Sequence, residues 1–270
     1  MPKKRPRRSR PALEALEMRD LPATWGIPWA DPQHLTMSFA PDGTNVLGQQ
    51  SNLFSQLDSQ LGAGKWESTI LKAVQTWAWD SNVNIGLVSD GGEAVGTAGP
   101  AQGDPRFGDI RISAAPMAAG VLAVGTPYDP STGTLSGDII INSNDDFNPS
   151  DPGSYDLYSV VLHEAGHVFG FADSSDPSSF MYNVYNGPVT GLAPGAVPAM
   201  QALYGAPVPG PSEIGPGNPG NNSPVLLQAG STGQASVAAT LSSNQDTDVF
   251  QYKPQSGRSE EHTSELQSPC

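Results

Sequence analysis

The stretch His163-Glu-Ala-Gly-His-Val-Phe-Gly-Phe-Ala-Asp173 sets the fold and chemistry expected of this chain. Two histidines four residues apart project from one face of a helix, and two imidazoles at that spacing bite a single metal ion such as Zn²⁺. Glu164, one residue past the first of them, reaches a water on that ion without becoming a ligand. Gly170 then ends the helix, because glycine alone adopts a positive φ at little cost. The turn brings the chain back, and Asp173, three residues on, is the candidate third ligand. A helix-flanking cap is the other reading of Asp173, and Asp176 is a substitute ligand ranked below it. By chance the whole pattern arises in a chain of this length with a probability of roughly 10⁻⁵ to 10⁻⁴.

Periodicity places this helix in a mixed α and β unit. Residues 156–171 read as the motif helix. A second helix is expected over 68–79, where Ile70, Leu71, Val74, Trp77 and Ala78 fall at helical spacing. A short third follows at 197–204. Leu35–Phe39 alternates like an edge or half-buried strand, and Asp109–Ser113 and Asp138–Asn142 are β-branched runs between turn residues. Pro207 to Pro224, dense in Pro, Gly, Ser and Asn, reads as a linker.

Downstream of the motif, Asp173-Ser-Ser-Asp-Pro-Ser-Ser-Phe-Met181-Tyr182 and Gly191-Leu-Ala-Pro-Gly-Ala-Val-Pro-Ala-Met-Gln-Ala-Leu-Tyr-Gly205 complete a recognisable pattern. From about His34 to Gly205 the chain resembles the matrixins, a branch of the metzincin zinc peptidases. Asp173 stands where most metzincins carry histidine, as in snapalysin-like members. The resemblance implies an α/β (α+β) metzincin fold: a twisted mixed sheet, an active-site helix and a small C-terminal subdomain after the motif. It implies one catalytic Zn²⁺ on His163, His167 and Asp173, with Glu164 as general base, and Met181 as an apolar floor under the metal. Tyr185, four residues after Met181, matches the tyrosine that walls the primary specificity pocket; a purely structural tyrosine fits nearly as well.

Departures from the family bear on other metals. Where matrixins carry a histidine for a structural zinc in a "GDxHFDxxE" strand, this chain reads Gly137-Asp-Ile-Ile140-Ile-Asn142-Ser-Asn-Asp145. Only His34 and the C-terminal His262 remain beside the motif histidines, and His34 reads as a surface residue, so no second zinc is expected. A Ca²⁺ at Asn142 and Asp145 stays open beside the simpler reading of a polar turn. No cysteine precedes Cys270, so neither a disulfide nor a cysteine switch is expected.

Composition bounds the rest. The chain has 270 residues and a formal net charge of −14, yet seven of its 13 Lys and Arg precede Thr24. A body this acidic repels phosphate backbones, which argues against a nucleic-acid partner, while acidic surface serves either solubility or calcium. No apolar run approaches the roughly 18 residues that span a bilayer, so no transmembrane segment is expected. Leu13-Glu-Ala-Leu-Glu-Met-Arg-Asp-Leu-Pro22 resembles an N-terminal segment of large bacterial surface and exported proteins, which favours an extracellular or cell-surface location; a disordered basic tail on a cytosolic protein is the other reading. Beyond the linker, Val225-Leu-Leu, Ala235–Leu241 and Asp248–Tyr252 resemble the opening of a bacterial pre-peptidase C-terminal β-sandwich, truncated here. Arg258–Cys270 resembles a translated sequencing adapter, with the natural chain expected to continue past Gly257.

The expected organisation is therefore a basic N-terminal segment (1–24), a catalytic domain (25–206), a linker (207–224), a partial β unit (225–257) and a scar (258–270). Two functions fit such a scaffold: an endopeptidase acting on protein or peptide, or a non-catalytic adhesion or matrix module. The retained base and ligands favour the first. A thermolysin-like site fails, since the next glutamate after Glu164 is Glu213, inside the linker. Nothing in the sequence marks an oligomeric state or a preferred cleavage sequence.

Overall fold

Strand β1 (Leu35–Phe39) lies near the middle of a five-stranded sheet, with β4 (Ile85–Leu87) on one side and β5 (Ile110–Ala115) on the other. Beyond β5 come β7 (Ile139–Asn142) and, at the far edge, β6 (Ala123–Gly125). The first four strands run parallel, and only β6 is antiparallel to its neighbour. β2 (Asn45–Val46) and β3 (Gln49–Gln50) form a separate small hairpin, turned by Leu47 (φ 51°) and Gly48 (φ 93°). The computed structural model describes residues 26–179 and 181–207, and the backbone of 225–227 and 250–252. The readings placed on 1–24, on 208–224, on Ala235–Leu241 and on 258–270 fall outside them. Of the proposed β unit, β8 (Val225–Leu227) and β9 (Phe250–Tyr252) are described, as a parallel pair.

Side chains alternate across a strand, so each strand divides its residues between two layers. Leu35, Met37, Ile110, Ile112, Ala114, Ile139 and Ile141 belong to the main core with the helices α2 (Lys65–Ala78) and α3 (Leu157–Val168). From α2 come Trp66, Ile70, Ala73, Val74 and Trp77, all buried. Each such aliphatic side chain contributes roughly 1.5–3 kcal/mol when fully buried. The opposite face, under the loops, holds a small cluster of Val46, Val95, Ala115 and Ile140 beside a buried ion pair, Arg111 to Asp90 at 2.7 Å. Arg111 forks both oxygens of Asp90, the bidentate geometry that offsets the loss of water around both charges.

Three aromatic polar atoms pin the motif helix from outside. Trp77 Nε1 donates to the Leu162 carbonyl (2.7 Å), Trp29 Nε1 to that of Val168 (3.1 Å), and the Tyr204 hydroxyl to that of Phe169 (3.0 Å). Tyr204 belongs to α4 (Ala196–Tyr204), which closes the domain by burying Ala196, Ala199 and Met200.

The structure corrects several sequence expectations. β1 is an interior strand with four of its five residues buried, because β4 covers the edge assigned to it. α2 begins at Lys65, since Trp66 already faces the core. Helix α1 (Leu53–Leu61) and strands β4 and β6 were not foreseen. Three-residue strands carry too little alternation to register as a pattern.

Candidate metal centre

The site begins with the capping of α3. Asp156 takes an extended conformation before the helix, and its Oδ2 accepts from the Ser159 backbone N–H (2.8 Å) and hydroxyl (2.5 Å). This satisfies one of the helix's orphan donors. At the other end Gly170 has φ 95°, its N–H donates to the His167 carbonyl (2.8 Å), and the Phe171 N–H to that of Gly166 (3.0 Å). That crossed pair is a Schellman motif, and it turns the chain back over the helix as the glycine predicted.

The turn delivers Asp173 to the two histidines. Its Oδ1 lies 3.2 Å from His163 Nε2 and 3.4 Å from His167 Nε2, and the three ligand atoms all fall within 4.8 Å of one another. His167 Nδ1 is 2.8 Å from the Phe171 carbonyl, to which only a protonated Nδ1 can donate, so Nε2 is the ring nitrogen that faces Asp173. Burial, and then the neighbouring His167, push the His163 pKa down, which favours the neutral imidazole that binds metal. Two neutral imidazoles and a carboxylate are a donor set suited to zinc, with room for a fourth group. The residues therefore fit the ion. Asp176 is occupied elsewhere: its Oδ1 accepts from the Ser178 N–H and hydroxyl.

Glu164 points into the same space but from a buried position, 8% exposed. Burial pushes its carboxyl up to about 7, against a hydrogen bond from the Gly125 backbone N–H, with the Asp173 charge raising it further. That N–H is available for a topological reason. Asn142 donates to the Leu122 carbonyl and Thr126 to that of Asp138, so residues 122, 124 and 126 carry the ladder to β7. The backbone groups of Ala123 and Gly125 therefore face away from the sheet. Gly125 also has to be small: a Cβ there would run into the Glu164 carbonyl oxygen.

Met181 is fully buried below the helix. Its strand-like segment is tied to the post-helix loop by Ser174 N–H to the Met181 carbonyl (2.7 Å) and Asn183 N–H to that of Ser174 (3.0 Å). A Cβ on Gly166 would collide with Met181 Sδ and come within 2.9 Å of Trp77, so the glycine inside the motif is required by packing against Met181. Tyr185 packs edge-on against Tyr155 (centroids 5.2 Å) and its hydroxyl accepts from the Asp156 N–H (2.9 Å). It thus lines the cleft and braces the start of α3. Ser159 joins the same wall, accepting from the Val189 N–H (2.8 Å).

A cleft of about 930 Å³ runs past these groups, bordered by β6 and by the segment 177–193. The sequence named His163, Glu164, His167, Asp173 and Met181, which the fold brings together; it did not mark Gly125, Ser159 or the rim strand. Only the glycine was visible as a letter, and nothing local distinguished it from other loop glycines. Asn142, considered for calcium, spends its side chain on backbone. Its Oδ1 accepts from Met117 and Asn144, and its Nδ2 donates to Val121 (2.7 Å), so it shapes the loop leading into β6. Ile140 is buried with Val46 and Val95.

Comparison with known proteins converges on the same region. Residues 111–205 match the matrixin peptidase family. Macrophage metalloelastase of Rattus norvegicus is 36% identical over 88 residues, covering 32% of this chain and 19% of that protein. Matrix metalloproteinase-25 of Mus musculus is 35% identical over 97 residues (29% and 16%), and interstitial collagenase of Oryctolagus cuniculus 36% over 95 (34% and 19%). The chain thus spans under a fifth of the length of these relatives. The stretch from Arg111 to Gly205, which carries the histidine pair, the turn and the closing helix, is a matrixin-like metzincin region.

Proposed function

We propose that this protein is a zinc-dependent endopeptidase that hydrolyses internal peptide bonds, with Glu164 as general base. The observation that carries the reading is the convergence of His163, His167 and Asp173 within 4.8 Å beside a buried Glu164. Zinc, when bound, supplies Lewis acidity that makes water nucleophilic near neutral pH and offsets charge on the scissile carbonyl oxygen.

The chain's own residues do the rest. An extended peptide adds to the open edge of β6, where the outward backbone groups of Ala123 offer strand-type hydrogen bonds. Glu164, steered by the Gly125 N–H, takes the proton of the attacking water and returns it to the leaving nitrogen. A carboxyl held near 7 both accepts and releases that proton at neutral pH. Tyr185 and Val189 wall the pocket next to the centre. The relatives' names, which include an elastase and a collagenase, support a protein substrate for this chain as well. An extracellular location is part of the same proposal.

The test is digestion of casein and of a mixed peptide library by the zinc-loaded chain, with and without a chelator. Cleavage within peptides, abolished by the chelator and restored by zinc, supports the reading. Zinc binding with no cleavage of either substrate would favour a non-catalytic module.

A further inference from the structure

The half of the molecule that builds the cleft contains no Lys or Arg. From Ile112 to Pro207 the sequence carries nine Asp and Glu residues and neither basic residue type. All cleft-lining residues except Trp77 lie within 120–193. The four cations among the described residues sit elsewhere, in the first half of the chain. Arg111 is buried on Asp90, Arg106 is paired with Asp104 at 2.6 Å, and Lys65 and Lys72 belong to α2, the latter over the Tyr158 ring.

Glu164 and Asp173 are the two acidic residues that line the cleft, and others lie close by in sequence. Asp173 lines it with its side chain 55% exposed. Asp176 immediately precedes the lining residues Pro177 and Ser178. Tyr155, also in the wall, is held by its N–H on the Asp146 carbonyl. The loop ending there carries Asp145, Asp146, Asp151 and Asp156. Among the described residues, no Lys or Arg lines the cleft.

Strand addition at β6 reads only backbone and is indifferent to side-chain charge. Electrostatics then decides which extended segments enter. We propose that this cleft selects cationic polypeptide segments, with Lys or Arg near the scissile bond, and disfavours acidic ones. The proposal rests on the peptidase reading above. Clefts lined by one sign of charge raise the association rate of oppositely charged ligands by about 10–10³-fold, and the effect collapses with salt as the screening length shrinks from about 30 Å at 0.01 M to about 8 Å at 0.15 M.

The experiment uses the full zinc-loaded chain and quenched peptides with one shared neutral core, flanked on both sides by Lys, Ser or Glu pairs. The expected order of kcat/KM is Lys, then Ser, then Glu, with a Lys-to-Glu ratio of about tenfold or more at 10 mM NaCl that shrinks severalfold at 150 mM. Asp151→Lys, an exposed change outside the catalytic groups, should lower that ratio. Equal rates at low salt, or faster cleavage of the Glu peptide, would overturn the proposal. In parallel, anisotropy measures binding of the same peptides to Glu164→Gln. If no peptide is cleaved but the Lys peptide binds tightest, the charge selection stands and the peptidase reading fails. Cleavage of all three at equal rates means the reverse: the peptidase reading stands and the charge selection fails.

Discussion

In the proposed mechanism Glu164 meets two demands: it must be buried to hold a high proton affinity and must still reach the reacting water. The Gly125 N–H reconciles them by giving the buried carboxylate a backbone partner. Replacing it tests the role directly. Glu164→Gln should lower kcat by at least about a hundredfold, close to 3 kcal/mol on the barrier, while zinc stoichiometry is unchanged. Turnover within tenfold of wild type would remove Glu164 from the mechanism. For the ligands, Asp173→Ala should weaken zinc binding by more than about a hundredfold, beyond what loss of an outer hydrogen-bond partner costs. Asp176→Ala should leave affinity nearly unchanged, since the Asp176 Oδ1 accepts from the Ser178 N–H and hydroxyl. Competition with a chromophoric chelator measures both, and the reverse ranking would relocate the third ligand.

At the scale of elements, α3 is held by what touches it. Its start is capped by Asp156, its end is closed by Gly170, and its middle lies so close to Met181 that residue 166 has no room for a side chain. Alanine is intrinsically the better helix former, by about 1 kcal/mol. Even so, Gly166→Ala should destabilise the domain by about 1–3 kcal/mol through overpacking against Met181 and Trp77. Urea unfolding measures it, and a stabilised variant would mean that the methionine segment packs less tightly than described. The spacing of His163, His167, Gly170 and Asp173 was legible because helix and turn geometry are local. The rim strand was not, because Ala123–Gly125 becomes a strand only by pairing with β7.

Across the whole molecule, the loop-covered side of the sheet carries a charge arrangement that sequence could not reveal. Asp138 lies beside Arg111 in the parallel register continued from Ile112 and Ile139, yet Arg111 is committed to Asp90. The Asp138 carboxyl has no hydrogen-bond partner and is pushed up to about 8 by burial, against the pull of Arg111, with Asp90 raising it further. The folded state therefore keeps a proton that the unfolded chain releases near pH 4, and stability contributed at acid pH is lost as pH rises from about 4 to about 8. Asp138→Asn removes that dependence. The variant's stability relative to wild type should improve by on the order of 1 kcal/mol or more between pH 5 and pH 8. Paired urea titrations at the two pH values check it, and a constant difference would show Asp138 ionised in the fold.

The sequence by itself determined the candidate metal centre, because the three groups that could hold an ion are written in one helix and the turn after it. Spacings of four and three residues map onto angles and distances through backbone geometry alone, and so did the preference for glycine at position 170. Tertiary structure alone decided which groups serve that centre from a distance. Gly125 reaches Glu164 across 39 positions of sequence, and Tyr185 braces Asp156 across 29. Those contacts depend on strand order and register, which long-range packing sets and which no local pattern encodes. The distribution of charge was present in the sequence as a gap between Arg111 and Lys253. It acquired meaning only when the fold placed residues 120–193 around the cleft.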